Sequence, residues 1–237
     1  MPYHLIAHRG YSAVAPENTL ASFRAAIREG VWGVEFDLHL SWDGIPVVIH
    51  DPTVDRTTNG TGNVAEKTIS QLQALDAGSW FHPQFASETI PTFQEVLHLF
   101  ATTSIQLLIE VKSPSQWSSQ AIHHFLQILE PERDRCFVLS FDHDFLHDLQ
   151  QLAPHITCGY GITKITDYSL EYIKTLDQSS PLILPHFYLV LQQPKVTQSL
   201  LEEGYEIITW TVDQESIAHQ LFNQNIVKII TNNLLKT

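Results

Sequence analysis

Three acidic residues, two histidines and two basic residues in this chain are spaced so that they can share one site. Glu35 and Asp37 stand two apart in Gly33-Val34-Glu35-Phe36-Asp37-Leu38, so on an extended strand their side chains share a face. Val34, Phe36 and Leu38 suit the opposite face. The run Leu107-Leu108-Ile109-Glu110-Val111-Lys112 repeats the arrangement, with Leu108, Glu110 and Lys112 on one side. Carboxylates that converge raise one another's pKa unless a cation sits among them. An all-oxygen ligand set of Glu35, Asp37 and Glu110 suits a hard ion, Mg²⁺ or Ca²⁺, with Mn²⁺ also compatible. Zinc would normally recruit His or Cys. The competing reading is an ion network in which Arg9 and Lys112 pair with the carboxylates for structure alone. Adding His8 and His50 favours a site, and the set suits phosphate ester chemistry. A metal would polarise a phosphoryl oxygen, Arg9 and Lys112 would neutralise charge, and the histidines would move protons.

Such residues need strand ends to hold them together. Short apolar runs alternate with amphipathic stretches, the pattern of βα units around a parallel sheet. Strands are expected near 4–8, 32–38, 105–112, 136–141, 156–160, 181–185, 206–211 and 226–231. Helices are expected near 19–29, 92–101, 116–129, 143–152, 167–177, 195–203 and 213–223. Eight strands in 237 residues describe a single (β/α)₈ TIM barrel, whose functional groups lie at the C-terminal strand ends. His8-Arg9-Gly10, Glu35 and Asp37, Glu110 and Lys112, Ser140-Phe141 and Trp210 all fall there. Pro16-Glu17-Asn18-Thr19 reads as a turn and N-cap opening the first helix, which Glu29-Gly30 closes.

One stretch breaks the alternation. Asp43-Gly44 lies between strand-formers and signals a two-residue hairpin turn. That register sets Trp42 against Ile45 and Asp37 opposite His50, and a bulge would shift it. From about 51 to 90 the pattern is irregular, which points to an inserted lobe over one barrel face. Trp42 reads as a packing residue, and the Gln-rich stretches near 116–127 and 148–151 as solvated helix faces. Tyr160, His82 and His186 are candidates for the pocket border. His98, His123, His124, His147 and His219 read as solvated.

Lys and Arg total 13 against 26 Asp and Glu, a formal net charge of −13. That balance disfavours nucleic acid and anionic membrane surfaces, but not a small anion drawn in by a local cation. Cys136 and Cys158 read as buried free thiols. The N-terminal residues lack the basic stretch and apolar run of a signal peptide, and no run approaches a membrane span, so a cytoplasmic protein is expected.

Taken in order, the motifs resemble those of the glycerophosphodiester phosphodiesterases, a family on a phospholipase C-like barrel. The matching segments are His8-Arg9-Gly10, Pro16-Glu17-Asn18-Thr19, Glu35-Phe36-Asp37, Asp43-Gly44 and Val47-Val48-Ile49-His50-Asp51. They continue through Arg56-Thr57-Thr58-Asn59-Gly60, Ile90-Pro91-Thr92, Glu110-Val111-Lys112, Ser140-Phe141 and Trp210-Thr211-Val212. The resemblance implies hydrolysis of glycerophosphodiesters to glycerol 3-phosphate and an alcohol. It implies Glu35, Asp37 and Glu110 as metal ligands and His8 and His50 as the acid–base pair. Arg9 and Lys112 would contact the phosphate, and Phe141 and Trp210 would line the pocket. Two positions depart from the family pattern: Asp213 stands where Asn is common, and Asn232 where Asp is common. A phospholipase D-like reaction on lysophospholipids is the nearest alternative, although no basic amphipathic helix supports it. A non-catalytic phosphodiester-binding barrel would lack one of the carboxylates or histidines, and all are present.

Overall fold

The computed structural model describes residues 3–112, 117–176 and 182–235. Residue 116 of the expected helix 116–129, residue 177 of helix 167–177 and residue 181 of strand 181–185 lie outside them. In chain order the strands are β1 (His4–His8), β2 (Gly33–Leu40), β3 (Pro46–Val48), β4 (Gln106–Val111) and β5 (Cys136–Ser140). They continue as β6 (Thr157–Ile162), β7 (Leu182–Pro185), β8 (Glu206–Thr209) and β9 (Lys228–Thr231). Each of the eight strands expected from the sequence is present. All but β3 run parallel, and β1 pairs with both β2 and β9, so the sheet closes into a barrel. Closure removes both sheet edges and leaves the strand ends as the natural place for a site.

The two-residue period sorts the side chains. Val34, Phe36, Leu38, Leu107, Ile109 and Val111 point outward into the large core beneath the helices. Ile6, Leu108, Leu139, Leu182, Leu184, Ile208 and Ile230 fill the barrel interior as a separate plug. Burial of each such aliphatic side chain stabilises by roughly 1.5–3 kcal/mol, so the barrel floor is rigid.

The helices are α1 (Leu20–Glu29), α2 (Ile69–Gln73), α3 (Phe93–Phe100), α4 (Ser119–Leu129), α5 (His143–Leu152), α6 (Leu170–Ile173), α7 (Phe187–Gln192), α8 (Pro194–Glu202) and α9 (Glu215–Phe222). Thr19 caps α1 by accepting from the Ser22 N–H, and the left-handed Gly30 ends it. Helix α6 is shorter than the expected 167–177. Helix α7 was not anticipated, because Phe187-Tyr188-Leu189-Val190-Leu191 carries apolar residues without a helical period.

The hairpin register differs from expectation by one residue. Leu38 pairs with Val48 and Leu40 with Pro46, so Asp37 lies opposite Ile49, whose N–H donates to the Asp37 carbonyl. The cause is a three-residue loop. Ser41 Oγ accepts from the Ile45 N–H, Ser41 Oγ–H donates to Asp43, and Gly44 supplies the left-handed residue at φ 75° that closes the turn. Trp42 at the loop tip is 72% exposed and is not a packing residue. Residues 51–90 form two short 3₁₀ turns and α2 around an apolar cluster of Val54, Val64, Leu72, Ala77 and Ile90, joined to Val47 and Ile49 of the hairpin.

Tyr160 does not border the site. On β6 it alternates with Gly159 and Gly161 and shares its face with Cys158 and Ile162, in the helical layer, where its hydroxyl donates to the buried Gln150. Gln150 is therefore not on a solvated face. Cys136 and Cys158 are both buried, and burial pushes the Cys136 thiol up to about 12.

Candidate active site

At the C-terminal mouth the register sets His8 beside Glu35 and Asp37 beside Glu110. One oxygen from each of Glu35, Asp37 and Glu110 lies within 4.8 Å of the other two. Glu35 and Asp37 are only 3% and 1% exposed. Lys112 Nζ sits 2.5 Å from Glu110 and 3.1 Å from Asp37, and Arg9 Nε lies 3.4 Å from Asp37. The Arg9 backbone N–H donates to Glu35 Oε2 at 3.1 Å.

These charges do not share the burial equally. Burial alone would raise Asp37, but Lys112 and Arg9 outweigh it and hold the carboxyl well below the usual range. Glu35 has no comparable partner. Burial, then Asp37 and Glu110, drive its pKa well up. Burial and Asp37 likewise push Glu110 up to about 7. Glu35 Oε1 is buried with no hydrogen-bond partner among the described residues. An ion network of Arg9 and Lys112 alone therefore leaves one carboxylate uncompensated. An orphaned oxygen, two carboxyls with raised pKa and an oxygen-only donor set fit a divalent cation at Glu35, Asp37 and Glu110.

The two histidines approach from different elements and have different partners. His8 ends β1, its Nδ1 is 2.7 Å from Asn232 Oδ1, and its Nε2 is 3.8 Å from Glu35. Burial and then Arg9 lower it to about 4. His50 follows β3, and its Nδ1 lies 2.6 Å from Asp51. Arg56 holds Asp51 down at about 2 by donating to it. His39, buried on β2, donates Nε2–H to the His50 carbonyl at 3.0 Å and fixes that strand end.

Of the residues expected to bind metal, move protons, contact phosphate or line the pocket wall (His8, Arg9, Glu35, Asp37, His50, Glu110, Lys112, Phe141 and Trp210), all but Asp37 line one cavity of about 380 Å³, and Asp37 lies buried beside it. Phe141 and Trp210 meet edge to face at 5.3 Å on the opposite wall from the carboxylates, with Leu139, Leu184 and Ile230. His186 meets Trp210 edge to face, with ring centroids 5.0 Å apart, but does not line this cavity. His82, like His98, His123, His147 and His219, is on none of its walls; those five are exposed and His124 is half-buried.

Sequence reasoning missed a supporting layer. Asn18, at φ 55°, donates its amide to Asp37 Oδ2 at 2.8 Å. Glu17 bridges Arg9 and Arg56, at 2.8 Å each. Pro16-Glu17-Asn18-Thr19 carries more than a turn and a cap: its two central residues orient the site, and the signal was a charged and an amide residue immediately before a helix.

A parallel barrel whose mouth gathers carboxylates, bases and paired histidines belongs among the phosphoric diester hydrolases, and comparison with known proteins gives the family. Residues 8–236 match the glycerophosphoryl diester phosphodiesterase family, and the chain belongs to it. It is 33% identical to a glycerophosphodiester phosphodiesterase of Caldanaerobacter subterraneus subsp. tengcongensis, over 96% of this chain and 93% of that protein. A glycerophosphodiester phosphodiesterase of Bacillus subtilis is 30% identical, over 96% and 82%. Among solved structures, the barrel resembles an Oleispira antarctica phosphodiesterase in complex with the product sn-glycerol-3-phosphate. That likeness has a TM-score of 0.87 and 32% identity, and covers 97% of this chain and 92% of that one. No helix among the described residues is long and apolar enough to cross a membrane.

Proposed function

We propose that this chain hydrolyses glycerophosphodiesters, releasing glycerol 3-phosphate and an alcohol, with Glu35, Asp37 and Glu110 holding Mg²⁺ or Ca²⁺. The observation that carries the reading is the buried, unpartnered Glu35 oxygen within a three-carboxylate cluster, set between two histidines at one cavity. It is joined by the family match over residues 8–236 and by the likeness to a phosphodiesterase that binds sn-glycerol-3-phosphate. When bound, the ion supplies Lewis-acid stabilisation of the charge that develops on the phosphoryl oxygens.

The chain's own residues supply the rest. Lys112 and Arg9 give fixed positive charge at the carboxylate edge of the cavity, where low water access strengthens it. His8 and His50 exchange protons with the nucleophile and the leaving alkoxide. Asp51 accepts from His50 Nδ1, so the ring presents Nε2 to the reaction. Phe141 and Trp210 form an apolar wall for the carbon skeleton of the substrate. The formal net charge of −13 supports a small-molecule substrate over a nucleic acid or an anionic membrane surface, and we place the reaction in the cytoplasm.

The test is turnover of glycerophosphocholine, glycerophosphoethanolamine and lysophosphatidylcholine by metal-stripped protein, with Mg²⁺ or Ca²⁺ added back. Release of glycerol 3-phosphate that EDTA abolishes and either ion restores is expected. Activity indifferent to exhaustive EDTA would sink the metal assignment, and preference for the lysophospholipid would shift the substrate class.

A further inference from the structure

We propose that Asp213 is a positioning residue, acting through Asn232 to hold His8 in the tautomer that carries its proton on Nδ1. Asp213 follows β8 and Asn232 follows β9, so neighbouring barrel strands bring them together. The Asn232 backbone N–H donates to Asp213 Oδ1 at 2.8 Å, and the Asn232 side-chain Nδ2 donates to Asp213 Oδ2 at 2.8 Å. Thr231 Oγ donates to the same carboxylate at 3.1 Å. Asp213 is solvent-exposed, yet the two-point grip on one residue sets the direction of the amide.

The logic is one of donors and acceptors. An ionised carboxylate only accepts, so the amide nitrogen of Asn232 must face Asp213 and the amide oxygen must face the other way. That oxygen is 2.7 Å from His8 Nδ1 and receives Ser12 Oγ–H at 3.1 Å. A carbonyl oxygen also only accepts, so His8 Nδ1 must carry the proton. Neutral His8 then keeps its lone pair on Nε2, the nitrogen on the Glu35 side of the ring. The opposite amide orientation would set its oxygen against the Asp213 carboxylate and offer His8 an NH₂ donor, selecting the other tautomer.

The inference rests on the proposed function only in giving His8 a proton-transfer role, and its primary readout does not depend on activity. Nitrogen-15 chemical shifts of His8 in the full-length Mg²⁺-loaded protein should show Nδ1 protonated and Nε2 not. Asp213→Asn should blur that pattern into a mixture and lower kcat about 10-fold with KM changed less than about twofold, the split expected when a proton-transfer group is misoriented. Asn232→Asp alone sets two carboxylates at hydrogen-bond distance and should lose more. The double variant Asp213→Asn/Asn232→Asp restores one donor and one acceptor, and should recover kcat to within about threefold with a single Nδ1–H tautomer. Finding Nε2–H in the parent protein overturns the proposal, even if every variant fails to fold. An unchanged tautomer and kcat in Asp213→Asn overturn it too. A parent chain that turns over no glycerophosphodiester sinks the proposed function instead, while its His8 shifts still decide the hydrogen-bond chain.

Discussion

The two arcs of the barrel mouth share a backbone plan and carry opposite chemistry. Strands β1, β2 and β4, with the return after β3, present His8, Glu35, Asp37, His50, Glu110 and Lys112. Strands β5, β7, β8 and β9 present Leu139, Phe141, Leu184, Trp210 and Ile230 at the facing wall. Each arc needs the other. In the proposed mechanism the apolar wall lowers the local dielectric, which strengthens the action of the facing charges on a phosphate. The charged arc gives the cavity a direction, since an apolar slot alone would bind any small hydrophobe. The comparison predicts that damage to the first arc lowers kcat and damage to the second raises KM.

The largest effect should come from His50→Ala. Loss of a proton-transfer group lowers kcat by a factor of at least about 10², while isothermal titration should still detect the metal. Near-normal turnover would remove His50 from the mechanism. Next is Glu35→Gln, which separates function from stability. It removes a buried, uncompensated charge, so the metal-free protein should melt no lower than the parent and by up to several degrees higher, with metal binding weakened by about 10-fold or more. A lower melting point in metal-free buffer would show that the ion network already compensates Glu35.

In the apolar arc the effects are smaller. A Cβ at Gly161 would lie 2.5 Å from Phe141 Cδ1, so Gly161→Ala must push the aromatic ring off its seat. KM should rise about 3- to 10-fold with kcat changed less than twofold; a matching fall in kcat would mean that the wall also orients the phosphate. The smallest effect concerns the outer ion pairs. Asp51 and Glu17 are both held below their ordinary values, Asp51 by Arg56's hydrogen bonds and Glu17 by Arg56 and Arg9 against the cost of burial. Because folding depresses these pKa values, their stabilisation is full above the unfolded values near 4. It is lost as pH falls through the folded ones, about 2 for Asp51. Arg56→Met should therefore melt a few degrees lower at pH 7, and the gap to the parent should close below about pH 2. A gap independent of pH would assign Arg56 a packing role.

Legibility in the sequence followed periodicity. The eight barrel strands and the shared face of Glu35, Asp37 and Glu110 follow from a period of two in apolar runs, because burial on both sheet faces forces it. The hairpin register did not, since Asp43-Gly44 serves equally in a two-residue turn and in the three-residue loop that Ser41 closes. Tyr160 was misassigned for want of the strand's parity: it shares a face with Cys158 and Ile162, which point into the helical layer, while Gly161 faces the cavity. Asn18, Glu17 and Asn232 act through contacts 8 to 224 residues away in sequence, which no local pattern encodes. Their types are legible, but their partners are not.

The bond between His8 and Asn232 spans 224 residues. At about 5–20 residues per second of synthesis, the histidine leaves the ribosome roughly 10–45 s before the amide that orients it. The last strand of the barrel is also the one that completes this contact. A nascent chain therefore carries most of its charged groups early but cannot give His8 this partner until β9 and Asn232 have emerged.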